Sequence, residues 1–414
     1  LGNRVTPVRL KAIPEDFQVE EHIALPSGEG FTLYRVRKVG VTTLAVQRAI
    51  AQRLDLRQRD VVFPAQKDRQ AIAVQFASVR GKGPAYLTGK GWEATRVGEA
   101  SRPLSPHDLV GNAFLITLRD MGEEEASRLR QGLRERGEEG LPNYFDRQRF
   151  GSLAPGEGFL GKALLLGDAP KALRLFLATP FPGESPALTA FKALVRRHWG
   201  RWSVLLPRAP RGPLRSVLTY LKDHPTDLAG AVDRIAPGLL SLALSAYQAW
   251  LWNAIAGRWL EALAGPFLVE QRLVVAERPL PLYRALPPQV RERLSLLRLP
   301  LPHHKMTFPD QTAQRCGEEV LAAEGLTPHA LKARRLTHAF LARGERPLLL
   351  FPRDVTVGIP QPDDLSPGRW KVQVSFSLPP GSYATLVVKV TALLAGVPLT
   401  EGETPTSAGC GGRR

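Results

Sequence analysis

Lys371 to Leu378, KVQVSFSL, alternates without a break: Val372, Val374, Phe376 and Leu378 fall on one side, Lys371, Gln373, Ser375 and Ser377 on the other. A period of two predicts a half-buried strand. Pro379, Pro380 and Gly381 stop it, and Ser382 is placed to cap a helix in which Leu386, Val390 and Leu393 share a face. Similar patterns predict strands around Phe17–Val19, over Leu33–Lys38, over Ile72–Phe76 and over Asn112–Arg119. Thr43–Leu54 reads as a helix capped by Thr43, with Val46, Ile50 and Leu54 on one face. Glu123 to Gly137 puts acid first, base last and glycine at the end, which suits an exposed helix closed at Gly137. Leu239–Leu263 is apolar on most sides and reads as a long buried helix.

This succession changes character along the chain. After a strand-rich opening, residues 152–185 are rich in Gly, Pro and Ala, an Arg-rich helical segment follows, and short strands return near 340. At 414 residues two domains are expected. No uncharged apolar run reaches the roughly 18 residues of a membrane span, the first residues lack the apolar core of a secretory signal, and a cytoplasmic protein is the simplest account. Cys316 and Cys410 are too few for a disulfide framework. His303 and His304 have no third partner at a metal-ligand spacing, so no metal is expected.

Charge narrows the partner. The formal net charge is +17, with 56 Lys and Arg against 39 Asp and Glu. Such an excess suits a polyanion, since phosphates attract Lys and Arg and release their counterions. Arg149, Lys192, Arg196, Arg197, Arg201, Arg211 and Arg215 lie in a stretch with little acid and are expected to face an RNA backbone.

The chemistry centres on Val61–Val79. An apolar run ending at Phe63 leads through Pro64 into Gln66-Lys67-Asp68-Arg69, and then into the Ile72 strand. Asp68 is thus expected on a short turn at a strand's edge. Flanking cations lower a carboxylate pKa from its reference near 3.9, and a carboxylate ionised at neutral pH is a nucleophile that needs no activating base. By spacing alone, Lys-Asp-Arg equally suits a solvated surface triplet. Leu141–Gly151, LPNYFDRQRFG, interleaves aromatics with Arg and amides, the groups that stack on and hydrogen-bond an unstacked base. Tyr383 is expected at a helix N-terminus, where backbone N–H groups favour phosphate.

Taken together, KAIPEDFQVEE (11–21), FPAQKDRQAIAVQ (63–75), GNAFLITLRD with NYFDRQRFG (111–151), AYQAWLWN (246–253) and LPPGSYATLVVK (378–389) resemble the TruD family of tRNA pseudouridine synthases, in family order. The resemblance implies an α+β fold: a pseudouridine-synthase catalytic domain on a mixed, largely antiparallel sheet, with an inserted α/β family-specific domain. The boundaries expected are 1–152 and 336–400 for the catalytic domain, 153–335 for the insertion and 401–414 for a flexible tail. It implies Asp68 as the catalytic aspartate, Phe17, Asn143, Phe145 and Tyr383 lining a uridine pocket, and Lys11 and Lys67 near it, with Arg69 also a candidate contact. It implies tRNA as partner, uridine 13 as target, and no cofactor or metal; a monomer is favoured. The same isomerisation on rRNA or mRNA, and a non-catalytic RNA-binding or RNA-folding protein on this scaffold, are the alternatives. Asp146 stands where the family commonly has Gly, Pro64-Ala65 replaces the more usual Ala-Gly, and Ala73 and Ala249 replace a common Thr and Ser.

Overall fold

The computed structural model describes residues 7–333, 336 and 338–401. The chain forms two compact units, Leu1–Leu141 with Phe351–Arg414, and Pro142–Leu350.

The first unit is built on one mixed sheet. Its strands are β1 (Val8–Leu10), β2 (Phe17–Ile23), β3 (Phe31–Lys38), β4 (Val61–Val62), β5 (Ile72–Arg80), β6 (Tyr86–Gly89), β7 (Trp92–Ala100) and β8 (Leu109–Met121), together with Arg353–Val357, Gln361–Pro362, Trp370–Leu378 and Leu399–Glu401. The main path runs Arg353–Val357, Trp370–Leu378, β8, β2, β5, β3, β7, β6. Most pairs are antiparallel, but β1 runs parallel to Leu399–Glu401, and β2 parallel to β5, with Gln18 opposite Ile72 and Glu20 opposite Val74. The second of these parallel pairs positions the site. Parallel neighbours begin at the same end of a sheet, so the turn entering β2 and the loop entering β5 lie side by side. Antiparallel β3 ends there too, with Lys38 opposite Ala73.

Alternation in the sequence becomes burial in the structure. Val372, Val374, Phe376 and Leu378 are buried, while Gln373 is exposed. One face of the sheet packs against the helix α1 (Thr43–Arg53), with Tyr34, Val36, Val46, Ile50, Val79 and Trp92 in the shared core. The helix α2 (Glu123–Glu139) packs against Ala384–Leu394. A Cβ on Gly132 would lie 2.8 Å from Thr391 Cγ2, so the helices approach as closely as they do because that residue has no side chain.

Several local expectations shift. The α1 cap is Thr42, whose hydroxyl accepts from Ala45 N at 3.1 Å, which frees Thr43 for the interior. Helix α2 runs past Gly137 to Gly140, whose φ of 64° supplies the left-handed stop. Arg136, read as exposed, is buried and donates to Gly140 O at 3.0 Å, closing the helix end with a cation. Tyr383, not Ser382, holds the N-cap position of Ala384–Leu394. Glu401 pairs with Leu10 rather than opening a free tail; 402–414, with Cys410, lie outside the described residues.

The second unit is mainly helical, around Pro237–Ala264, of which Tyr247, Leu251, Trp252, Ile255 and Trp259 are fully buried. Its strands form two-stranded ribbons such as Leu268–Val275 with Arg278–Tyr283. The units part at 141/142 and 350/351, where the expected boundaries were 152/153 and 335/336. The reason is hydrogen bonding that composition cannot show. Asn253 fixes Phe145 within this unit, and Glu345–Pro347 pairs with Arg298–Pro300. Among the described residues no helix is long and apolar enough to cross a membrane.

A candidate active site around Asp68

Asp68 sits in the loop that enters β5, and main-chain bonds hold that loop from all sides. Gln75, fully buried, donates to Ala65 O at 3.0 Å and accepts from the Thr43 hydroxyl at 2.9 Å. Thr43 Oγ1 in turn accepts from Lys67 N at 3.0 Å. Arg69 Nε donates to Gly40 O at 3.0 Å, and Lys38 Nζ to Asp68 O at 2.6 Å. The Asp68 side chain is left 28% exposed, open enough for a reactant to meet it.

Its partner comes from the turn before β2. Lys11 Nζ lies 2.6 Å from Asp68 Oδ2 and 4.3 Å from the centre of the Phe17 ring. Lys11 adopts φ of 63°, a left-handed conformation costing a residue with a side chain about 1 kcal/mol or more. The turn is closed by Asp16, whose Oδ2 accepts from Ile13 N at 3.1 Å and whose Oδ1 accepts from Arg119 Nε at 2.7 Å. Phe17 packs edge-on against Phe114 at 6.0 Å. Burial pushes the Asp68 carboxyl up, but the charge and hydrogen bond of Lys11, the Gln70 amide and the Lys38 charge together outweigh it and hold it below the usual carboxylate range.

The sequence neighbours of Asp68 do other work. Lys67 extends to Glu21 Oε1 at 3.1 Å and to Asn112 Oδ1, and Arg69 is exposed and spent on the Gly40 carbonyl. Neither supplies the ion pair expected of it; Lys11 does, from 57 residues away. Tyr383 is half-buried at its helix N-terminus, where its carbonyl accepts from Leu386 N at 3.1 Å.

Asn143 and Phe145 belong to the second unit. Asn143 is buried: its Oδ1 accepts from Arg346 at 2.6 Å and its Nδ2 donates to Pro347 O at 3.1 Å. Phe145 N donates to Asn253 Oδ1 and Phe145 O accepts from Asn253 Nδ2, both at 2.8 Å, while the Arg346 guanidinium lies 4.3 Å from the Phe145 ring. Asp146 caps the short turn Arg147–Arg149, accepting from Arg147 N at 2.7 Å. Arg346 and Asn253 were missed in the sequence: one lay in an apolar strand pattern, the other inside a long helix that looked purely structural.

Of the proposed RNA-facing cations, Arg197, Arg201 and Arg211 are exposed, and Arg196 is exposed but paired with Glu157 at 2.8 Å. Arg149 is half-buried, 5.9 Å from the Phe145 ring. Arg215 donates to Leu206 O and Ala209 O, fastening the preceding turn. Lys192 corrects the expectation outright. It is buried, bound to Glu184 at 2.6 Å and to Thr179 O at 2.9 Å, and presents no charge to the surface.

Comparison with known proteins agrees with this architecture. The chain is 30% identical to tRNA pseudouridine synthase D of Geobacter sulfurreducens over 92% of each chain. It is 27% identical to the protein of that name from Leptospira interrogans, over 92% of this chain and 95% of the other. A solved TruD structure from Methanosarcina mazei superposes with a TM-score of 0.68 at 25% identity, covering 94% of each chain. The family model described as tRNA pseudouridine synthase D matches residues 3–390, and the chain therefore belongs to the TruD family.

Proposed function

We propose that this protein converts uridine 13 of tRNA to pseudouridine, with Asp68 as nucleophile. The observation that carries the reading is the Lys11–Asp68 pair, which keeps a partly open carboxylate ionised beside the Phe17 ring. The tRNA substrate comes from the names of the relatives. Isomerisation breaks N1–C1′, turns the uracil, forms C5–C1′ and moves the C5 proton off the ring while N1 gains one, so nothing is consumed. Asp68 adds to C1′ or to C6 and leaves again. The target base leaves its stack first, at a cost of a few kcal/mol, and contact with Phe17 and Tyr383 offsets this at about 1–3 kcal/mol per stacked face.

Incubation with tRNA transcripts followed by pseudouridine mapping tests the assignment. Modification at position 13 is expected; pseudouridine in rRNA alone defeats the substrate assignment, and none in any RNA defeats the activity. Tyr383→Phe is expected to keep single-turnover product formation within about tenfold of wild type, because an ordinary phenol near pKa 10 is a poor base. A complete loss assigns the C5 proton to that hydroxyl.

Lys11→Met changes the pH profile. The carboxylate is the active form, so the rate falls as pH drops through the folded Asp68 pKa, which lies below its ordinary value. Without Lys11 the burial effect is less opposed, and the acid limb of kcat/KM moves to higher pH. The same pair contributes stability above the unfolded Asp68 pKa and loses it as pH falls through the folded one. An unmoved acid limb removes Lys11 from this role.

A further inference from the structure

Lys38 ends β3 with no exposed surface. Its Nζ donates to Asp68 O at 2.6 Å and to Val41 O at 3.1 Å. A buried ammonium held by main-chain carbonyls is an expensive way to fasten a loop, because two dipoles offset only part of its desolvation. The neighbouring carboxylate is already paired with Lys11. The two carbonyls that Lys38 joins belong to the loop carrying Asp68 and to the turn after β3, which Arg69 also grips through Gly40 O.

We propose that Lys38 is a positioning residue for Asp68: its ammonium pins the peptide of the nucleophile to the β3 turn and so fixes where the carboxylate points. The inference rests on the reading of Asp68 as nucleophile and adds to it a group that touches no substrate. The surroundings make its charge conditional. Burial brings the Lys38 ammonium down to about 8, with Asp68 opposing the fall and Lys67 adding to it. Lys11 is paired with the Asp68 carboxylate, and β5 and β7 place Ala73 and Trp92, neither of them titratable near neutrality, opposite Lys38. Above that pH the amine keeps weaker, uncharged hydrogen bonds and the loop loosens.

Single-turnover pseudouridine formation measured from pH 6 to 9.5 tests this. Wild type is expected to lose rate by about threefold to tenfold through an alkaline limb near pH 8. Lys38→Met removes both bonds and is expected to lower the rate by about 10²-fold, the scale of a misplaced reacting group, with tRNA affinity unchanged. Lys38→Gln can donate to carbonyls but cannot titrate; it is expected to recover most of that loss and to show no alkaline limb. Should Lys38→Met fail to fold, the Lys38→Gln profile against wild type decides alone. A flat wild-type profile, or an alkaline limb that persists in Lys38→Gln, overturns the inference. Asp68→Asn run in parallel separates the two readings. If it is inactive while the Lys38 results fail, only this inference falls; if it is active, the nucleophile assignment falls first.

Discussion

Asp68→Asn is expected to lower single-turnover pseudouridine formation by at least about 10³-fold, the scale on which enzymes lose rate when a nucleophile is removed. The substitution is close to isosteric, so the loop need not move. Asp68 accepts from Lys11 on Oδ2 and from Gln70 N on Oδ1, so an amide keeps one of these bonds on its oxygen and gives up the other. Lys38 keeps its bond to the main-chain carbonyl, although its ammonium loses the support of the Asp68 charge. What disappears is the negative charge that Lys11 and Lys38 sustain, and with it the attacking electron pair. Binding should respond differently. tRNA affinity is set chiefly by phosphate contacts, and removing one anion beside two cations cannot weaken them, so Kd is expected to stay within about twofold. Rapid-quench assays with excess enzyme give the first quantity and filter binding the second. Product at the wild-type rate eliminates Asp68 as nucleophile. Unchanged tRNA folding activity in the variant, measured by structure probing, would instead favour the non-catalytic RNA-binding reading.

How much of this site could be read from the chain depended on the range of the interaction. The strand alternation at Ile72–Phe76 and Lys371–Leu378 and the buried helix at Leu239–Leu263 are local patterns, and they survive folding because burial acts on every repeat. The loop holding Asp68 was legible for the same reason. Its ion pair was not. Adjacent residues in extended chain point in different directions, so Lys67 and Arg69 leave toward Glu21 and Gly40, and Asp68 meets Lys11 only because β2 and β5 run parallel. Lys38 looked like the last polar residue of a strand. Lys192 looked like one more surface cation, since its partner Glu184 lies in the loop before its own helix and helical periodicity does not reach that far. Arg346 illustrates the same limit: its bonds to Asn143 span 203 residues.

Arg119→Met is expected to destabilise the first unit by about 3–5 kcal/mol, the cost of leaving a buried ion cluster without its cation. Arg119 is 5% exposed and Asp16 is fully buried. The guanidinium joins Asp16 Oδ1, Asp363 Oδ1 and Asp364 Oδ1, each at 2.7 Å. Asp364 keeps Lys371 and much solvent exposure, so it contributes least to the penalty. Asp16 and Asp363 are the costly ones, for their desolvation is complete whether or not the cation is there. The fold connects this cluster to the chemistry. Asp16 holds the turn on which Lys11 adopts its left-handed conformation and from which Phe17 enters β2. A loosened Asp16 should therefore reduce the pseudouridylation rate per folded molecule as well as the folded fraction. Urea titration followed by tryptophan fluorescence measures the stability, and rates taken well below the transition isolate the second effect. The triple variant Arg119→Met with Asp16→Asn and Asp363→Asn tests the cause, since removing the stranded charges should restore about half of the lost stability. A single-variant loss under about 1 kcal/mol would place the cluster among solvated surface pairs, and the turn carrying Lys11 would then owe its shape to the Ile13–Asp16 backbone alone.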